Sequence, residues 1–233
     1  MKDRERFVRS IFTRLPPSYH LLNGLLSFGW DLCRGRLTVR RLLENKGGLF
    51  LDTVTGTCEG TRELLGADDT ARVLAIDFSS SMLVRGKAKI ARLFQTDRAQ
   101  FALADGLYLP SRGEAFDGIM IAFVIRNIEQ RGKALQEAAA VLKPGGLLAI
   151  LEFTVPDDHW FWSIYRFYLR GVLPRLGDPL SHNRSAYQYL SDSIMGFPRP
   201  KAFLKAVERA GFTAVHYCPL TLGIVGVYTG MQH

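Results

Sequence analysis

The sequence predicts an α/β fold: a seven-stranded, mostly parallel sheet with helices on both faces and a helical lid. Three observations carry that expectation. From about residue 48 onward, short apolar runs of strand character alternate with helix-like segments, the order that builds parallel sheets covered on both sides. A glycine-bearing turn, Gly56 to Gly60, follows the first apolar run. Acidic residues, Asp52, Asp77 and Asp105, close the first three runs in succession, and ligands of such sheets bind at the carboxyl ends of strands.

The elements follow in order. "LFLDTV" reads as the first strand and "EGTRELLG" as a helix ending at Gly66. "RVLAID" is a second strand closed by Asp77, and "SSSMLVRGKAKIARLF" a helix with Ser79 to Ser81 as N-cap candidates. "AQFALAD" is the third strand and "AFDGIMIAF" the fourth. "IEQRGKALQEAAAVL" is a helix stopped by Lys143-Pro144-Gly145-Gly146, before "LLAILEF" as the fifth strand. A helix at about 199–210 precedes "TAVHYC" and "LGIVGVYTG", the last two strands, which have no helix between them. Two segments stand outside the alternation. Residues 1–45 are helix-like and aromatic-basic, an N-terminal helical cover. Residues 46–233 form the main domain, with a lid inserted at about 157–197, rich in Trp, Phe, Tyr and Arg.

Composition narrows the function classes. The 233 residues suit one α/β domain with an added lid. No apolar run approaches the roughly 18 to 20 residues needed to span a bilayer, and "MKDRERFVRS" lacks the apolar stretch of a secretory signal. Cys33, Cys58 and Cys218 are scattered, which suggests neither a disulfide framework nor a metal site. The expected setting is a reducing cytoplasm. The formal charge of +8 attracts nucleic acid, anionic lipid or acidic ligands. With no zinc-finger spacing and no RNA-binding aromatic signature, nucleic acid is not the expected partner.

The strand ends hold the chemistry. A carboxylate at Asp77, one helix and one strand beyond the glycine turn, can accept two hydrogen bonds from a ribose diol. Asp105 can accept one from an adenine amino group. A single acid at a strand end often caps the following helix. Three in order, after a glycine turn, describe an adenosine site. NAD and S-adenosylmethionine each fit that description. The pattern Gly56-x-Cys58-x-Gly60 does not match the dinucleotide fingerprint, and "LKPGG" together with the adjacent last two strands favours a methyltransferase sheet.

The chain resembles the ubiquinone/menaquinone biosynthesis C-methyltransferase family, within the class I S-adenosylmethionine-dependent enzymes with a Rossmann-like sheet. The matching stretches include "YHLLNGLLSFG" (19–29), "FVIRNIEQRGKAL" (123–135), "VLKPGGLLAILEF" (141–153), "LPRLG" (173–177), "NRSAYQYLSDSI" (183–194) and "LTLGIVGVYTG" (220–230), nearly end to end. Three departures stand out. Thr55-Gly56-Thr57-Cys58-Glu59 replaces Gly-Gly-Thr-Gly-Asp, Tyr19-His20 and Asn23-Gly24 lack the family's carboxylates, and Ala122-Phe123-Val124-Ile125-Arg126-Asn127 replaces Ser-Phe-Gly-Leu-Arg-Asn.

The resemblance implies S-adenosylmethionine as cofactor, with Asp52, Gly56, Thr57, Asp77, Asp105, Gly106 and Ala122 as binding residues. It implies a prenylated quinol or related aromatic acceptor, a hydroxyl of which loses its proton so that the neighbouring ring carbon becomes nucleophilic. Arg126 and Asn127 then lie on the substrate side, where Arg126 can stabilise the phenolate; an ion pair with a helix residue such as Glu129 is its alternative. His20, in place of the usual Asp, titrates near neutrality and is a replacement base. Three readings remain open: this C-methyltransferase, a relative using the same cofactor on another aromatic lipid or for a ring closure, and a non-catalytic scaffold of a quinone-biosynthesis complex. Within "HWFWSIYRFYLRGVLPRLG", Trp160, Ile164, Phe167 and Gly171 share one helical face, with Arg166 and Arg170 on another. That suits a helix at the inner face of an anionic membrane or along a polyprenyl channel; an ordinary amphipathic lid helix and a homodimer contact are the alternatives. At Cys58, a positive φ would cost a non-glycine residue roughly 1–2 kcal/mol, an amount the loop is expected to tolerate.

Overall fold

The computed structural model describes residues 38–39, 41–43, 47–93, 96–106, 109, 113–156, 159–172 and 184–233. Seven strands form one sheet in the order β3-β2-β1-β4-β5-β7-β6. They are β1 (Gly48–Thr53), β2 (Ala71–Asp77), β3 (Ala99–Leu103), β4 (Phe116–Ala122), β5 (Leu142–Phe153), β6 (Phe212–Leu220) and β7 (Val225–Gln232). The first five are parallel and β7 runs antiparallel between β5 and β6. The chain order reverses between β1 and β4, which opens a ligand crevice beyond their carboxyl ends.

Helices α1 (Glu59–Ala67) and α2 (Ser80–Ala91) connect β1 to β2 and β2 to β3, and α3 (Arg131–Val141) lies between β4 and β5. The lid contributes α4 (His159–Phe167), which passes into a π-helical turn at Tyr168–Val172, and α5 (Arg184–Met195). Helix α6 (Pro200–Arg209) precedes β6, with Pro200 in the first turn, where no N–H partner is lost. The pleat sends neighbours to opposite faces. Phe50 packs with Leu64 and Leu65 of α1 and Ile90 of α2, whereas Leu51 packs with Leu135 of α3 and Phe203 and Val207 of α6. A third apolar cluster seats the lid: Tyr165, Leu169, Tyr187, Leu190 and Ile194 close over Leu151, Phe153, Val225 and Val227.

The structure departs from the sequence expectation at two boundaries. β5 starts at Leu142 rather than Leu147, and its register on β4 slips from Phe116↔Leu142 to Gly118↔Leu147. Pro144 and Gly145, at φ +77, end the helix but leave the backbone extended, and bare Gly146 lets it pass close to Phe116 O. The helix expected from Ile128 begins at Arg131 and is preceded by a 3-10 turn, Ile125–Asn127. Of the N-terminal cover, the described part reaches the core through Val39 and Leu42, packed beside Phe50; the rest lies outside the described residues. Among the described residues, no helix is long and apolar enough to cross a membrane.

Candidate active site

The loop after β1 is organised from beneath by one carboxylate. Asp52 Oδ2 accepts hydrogen bonds from Thr55 Oγ1 (2.6 Å), Thr61 Oγ1 (2.6 Å) and Thr61 N (2.9 Å). These bonds tie the start of the turn to the first turn of α1. Val54 and Cys58 adopt φ of 52° and 62°, a conformation costly for any residue but glycine and most of all for a β-branched one. Phe123, after β4, adopts φ 56°. Three strained residues thus ring the crevice, as they do at sites whose shape matters.

Burial pushes the Asp52 carboxyl up to about 6, despite the three donors, which pull the other way. A raised folded-state pKa means that the folded protein holds the proton more tightly than the unfolded chain. Stability therefore falls as pH rises from about 4 to about 6, by on the order of 3 kcal/mol. Asp52→Asn keeps a carbonyl acceptor and carries no charge. Its melting temperature is expected to lack that fall when the two proteins are compared between about pH 4 and 7. Parallel curves for both would show that Asp52 titrates normally.

Asp77 ties the next two loops to the first. Its Oδ2 accepts from Gly56 N and its Oδ1 from Ser79 N, both at 2.8 Å. Burial raises its carboxyl above the usual range, opposed by those two N–H groups. Each oxygen keeps a further lone pair for a hydroxyl donor. Thr55 N donates to Ile76 O and Ala104 N to Asp77 O, so the strand ends are stitched side by side. A β-carbon on Gly106 would stand 3.5 Å from Val54 Cγ2, and one on Gly56, at φ +56, would meet nothing within 4 Å. Asp105 and Gly106 therefore sit across from an open glycine-tipped loop, and Ala122, one step past the Thr53↔Ile121 pair, flanks the other side. Asp52, Gly56, Asp77, Asp105, Gly106 and Ala122 lie at or just past the carboxyl ends of β1, β2, β3 and β4, which are neighbours in the sheet, with Asp52 buried beneath the loop. Thr57 faces α2, where its Oγ1 accepts from Lys89 Nζ at 3.3 Å and Lys89 also pairs with Glu59.

Cys58 stands at the N-terminus of α1 and is fully buried. Its sulfur fills the space that a β-carbon on Gly86 of α2 would need. Burial pushes its thiol up to about 11, so it is an apolar packing group rather than a nucleophile.

The turn after β4 is held by a buried ion pair. Arg126 is 2% exposed, and its guanidinium pairs with Glu152 Oε1 at 2.8 Å while its backbone N–H donates to Glu152 Oε2 at 3.1 Å. The same guanidinium donates to Phe123 O and lies 5.4 Å from the Phe153 ring centroid. Asn127 faces the lid: Tyr189 donates to its Oδ1 at 3.0 Å. Among the described residues its Nδ2 is buried without an acceptor. His20 lies outside the described residues, as does Asn183 at the start of the matching stretch 183–194.

The residues the sequence reading missed are Glu152, Lys89, Gly86 and Tyr189. Only Glu152 carried a usable signal: it is the one charge in "LLAILEF", and a charge in a buried strand requires a partner.

Comparison with known proteins completes the description. The model of the ubiE/COQ5 methyltransferase family matches residues 1–232. The chain is 41% identical over 225 residues to a ubiquinone/menaquinone biosynthesis C-methyltransferase of Syntrophotalea carbinolica, covering 96% of this chain and 93% of that one. It is 40% identical over 222 residues to a demethylmenaquinone methyltransferase of Thermus thermophilus, covering 94% and 99%. Among solved structures, the [4+2]-cyclase SpnF aligns with TM-score 0.65 at 14% identity over 85% of this chain and 79% of its own. A Haemonchus contortus phosphoethanolamine N-methyltransferase 2 in complex with S-adenosyl-L-methionine aligns with TM-score 0.65 at 14% identity over 88% of this chain and 53% of its own. At such identities these two establish the fold alone.

Proposed function

The chain belongs to the ubiE/COQ5 methyltransferase family and is an S-adenosylmethionine-dependent methyltransferase; from that premise we propose that it methylates a ring carbon of a prenylated quinol in menaquinone or ubiquinone formation. The observation that carries the reading is the buried Asp77 carboxylate, which joins the open loop at Gly56 to the start of α2. The crevice fits the cofactor. Gly56 leaves room for a ligand against bare backbone, and Asp77 keeps acceptor capacity for a ribose diol. Asp105 and Gly106 would hold the adenine end, and Gly56 and Ala122 the rim of the methionine end, with Asp52 fixing the loop from below and Thr57, turned toward α2, outside the rim. Bound S-adenosylmethionine supplies an electrophilic methyl group.

The chain's own tasks are to align the acceptor and to take a proton. Asn127 Nδ2 donates to an acceptor hydroxyl oxygen and so orients the ring. Arg126, clamped to Glu152, holds Asn127 in place and lends positive charge to the wall beside the phenolate. His20 accepts the phenolic proton, and the ring carbon ortho to that oxygen becomes the nucleophile. The acceptor is dissolved in lipid, so the enzyme works from the cytoplasm against the inner membrane face.

Two measurements test this. Asp77→Ala is expected to weaken S-adenosylmethionine binding by about 1.5–3 kcal/mol in calorimetric titration, the range for a hydrogen bond to a charged group. Unchanged affinity in a folded variant would remove the adenosine site from this crevice. In a methyl-transfer assay with a reduced demethylated quinol, the rate is expected to climb as pH rises through about 6.5 and to lose that dependence in His20→Ala. Turnover by His20→Ala at the full rate and with the same pH profile would exclude the histidine, and no transfer to any quinol would exclude the acceptor class.

A further inference from the structure

We propose that the outward face of α4 is a docking surface for an anionic lipid bilayer. It presents three large apolar side chains to solvent: Trp160 at 73%, Ile164 at 50% and Phe167 at 72% exposure. Their spacing of four and three residues aligns them on one stripe, since a helix turns about 100° per residue. Arg166 and Arg170 are exposed alongside it. The opposite face of the segment is already occupied: Tyr165 and Leu169 are buried in the lid cluster, and Phe161, Trp162 and Tyr168 pack against it. The stripe is therefore not the apolar face that seats the lid. Clustered Trp, Ile and Phe in water mark an interaction site.

The flanking charge identifies the occupant. Bulky apolar groups beside arginines suit a helix lying in the headgroup region, with rings in the acyl boundary and guanidinium groups on lipid phosphates. A net charge of +8 adds long-range attraction to the same surface. A second copy docked about a two-fold axis would bring the same basic patch to both sides of the contact, with Arg166 and Arg170 contributed by each chain and no acidic side to meet them. The proposal takes its purpose from the lipid-dissolved acceptor, whereas its physics rests on exposure and charge. A lid with one face on the sheet and the other in the bilayer would give the acceptor a route that avoids water.

The test is flotation of the full chain with vesicles of phosphatidylcholine alone or with phosphatidylglycerol, at low and at physiological salt. The wild type is expected to float with the anionic vesicles. The triple variant Trp160→Gln, Ile164→Gln, Phe167→Gln is expected to lose at least tenfold in partitioning, and Arg166→Gln with Arg170→Gln about fivefold per arginine on anionic vesicles only. These positions face solvent, so melting temperature and S-adenosylmethionine affinity are expected to stay at wild-type values. Transfer to a detergent-dispersed quinol with a truncated tail should be unchanged in the triple variant, which separates docking from chemistry. Equal flotation of wild type and triple variant would overturn the proposal. So would a wild-type dimer in sedimentation analysis without vesicles that the triple variant converts to monomer. Failure of methyl transfer with flotation as expected would count against the acceptor reading and leave the surface standing.

Discussion

Arg126→Ala is expected to cost about 3–5 kcal/mol of stability, the loss seen when one partner of a buried ion pair is removed. For a chain of this size that corresponds to a fall in melting temperature on the order of 10 °C. The cause is Glu152, fully buried at the end of β5 and left with a charge that water cannot reach. Any loss of methyl transfer in the single variant would therefore be ambiguous. The double variant Arg126→Met, Glu152→Gln resolves it. Glu152 accepts the backbone N–H groups of Arg126 and Phe153 on separate oxygens; the glutamine keeps one oxygen for one of them, and no charge remains buried. Stability is expected to return to within about 2 kcal/mol of wild type. If transfer returns with it, Arg126 is a positioning residue that holds Asn127 and the turn. If the protein is stable, binds S-adenosylmethionine and does not turn over, the arginine charge serves the phenolate. A single variant as stable as wild type would show that the pair does not anchor the turn.

The sheet was legible because each strand is punctuated locally. Val73 to Ile76 and Ile119 to Ile121 are apolar runs bounded by polar or turn residues, and the two faces of the sheet are both buried, so no alternation was needed to find them. The strand-end acids were legible for the same reason, since Asp77 is placed by local order alone. What could not be read is the identity of partners far along the chain, even where, as at Glu152, the need for one was visible. Glu152 acquires its meaning from Arg126, 26 residues away, and Thr57 acquires a cation from Lys89, 32 residues away. The 3-10 turn Ile125–Asn127 that precedes the helix at Arg131 is likewise held from a distance, with the Arg126 N–H donating to Glu152. Gly86 was invisible. A lone glycine inside a helical pattern reads as a minor flaw until the sulfur lying against it is seen.

That glycine carries the second large effect, because its sign is the reverse of the ordinary one. Alanine in place of a helical glycine normally stabilises by about 0.5–1 kcal/mol. Gly86→Ala is expected to destabilise instead, by about 1–3 kcal/mol, as overpacking does. Its β-carbon would overlap Cys58 Sγ and stand 3.2 Å from Cys58 Cβ and 3.4 Å from the Thr57 carbonyl carbon. The atoms it strikes belong to the loop after β1 that we propose holds the cofactor, so S-adenosylmethionine affinity should fall several-fold as well. Cys58→Gly alone relieves the left-handed conformation at φ 62, worth roughly 1–2 kcal/mol, but it empties a packed site of similar value, and its stability is expected to lie close to wild type. The two changes together are expected to be at least as stable as wild type. The new methyl then occupies the space the sulfur left, the helix gains an alanine, and the loop recovers the glycine that its backbone favours. The cycle is read by calorimetric melting of the ligand-free protein and by titration with S-adenosylmethionine. A coupling of about 2 kcal/mol or more between the two sites is the expected result. Additive effects, or a Gly86→Ala protein more stable than wild type, would show that Cys58 and Gly86 do not lock the loop to α2.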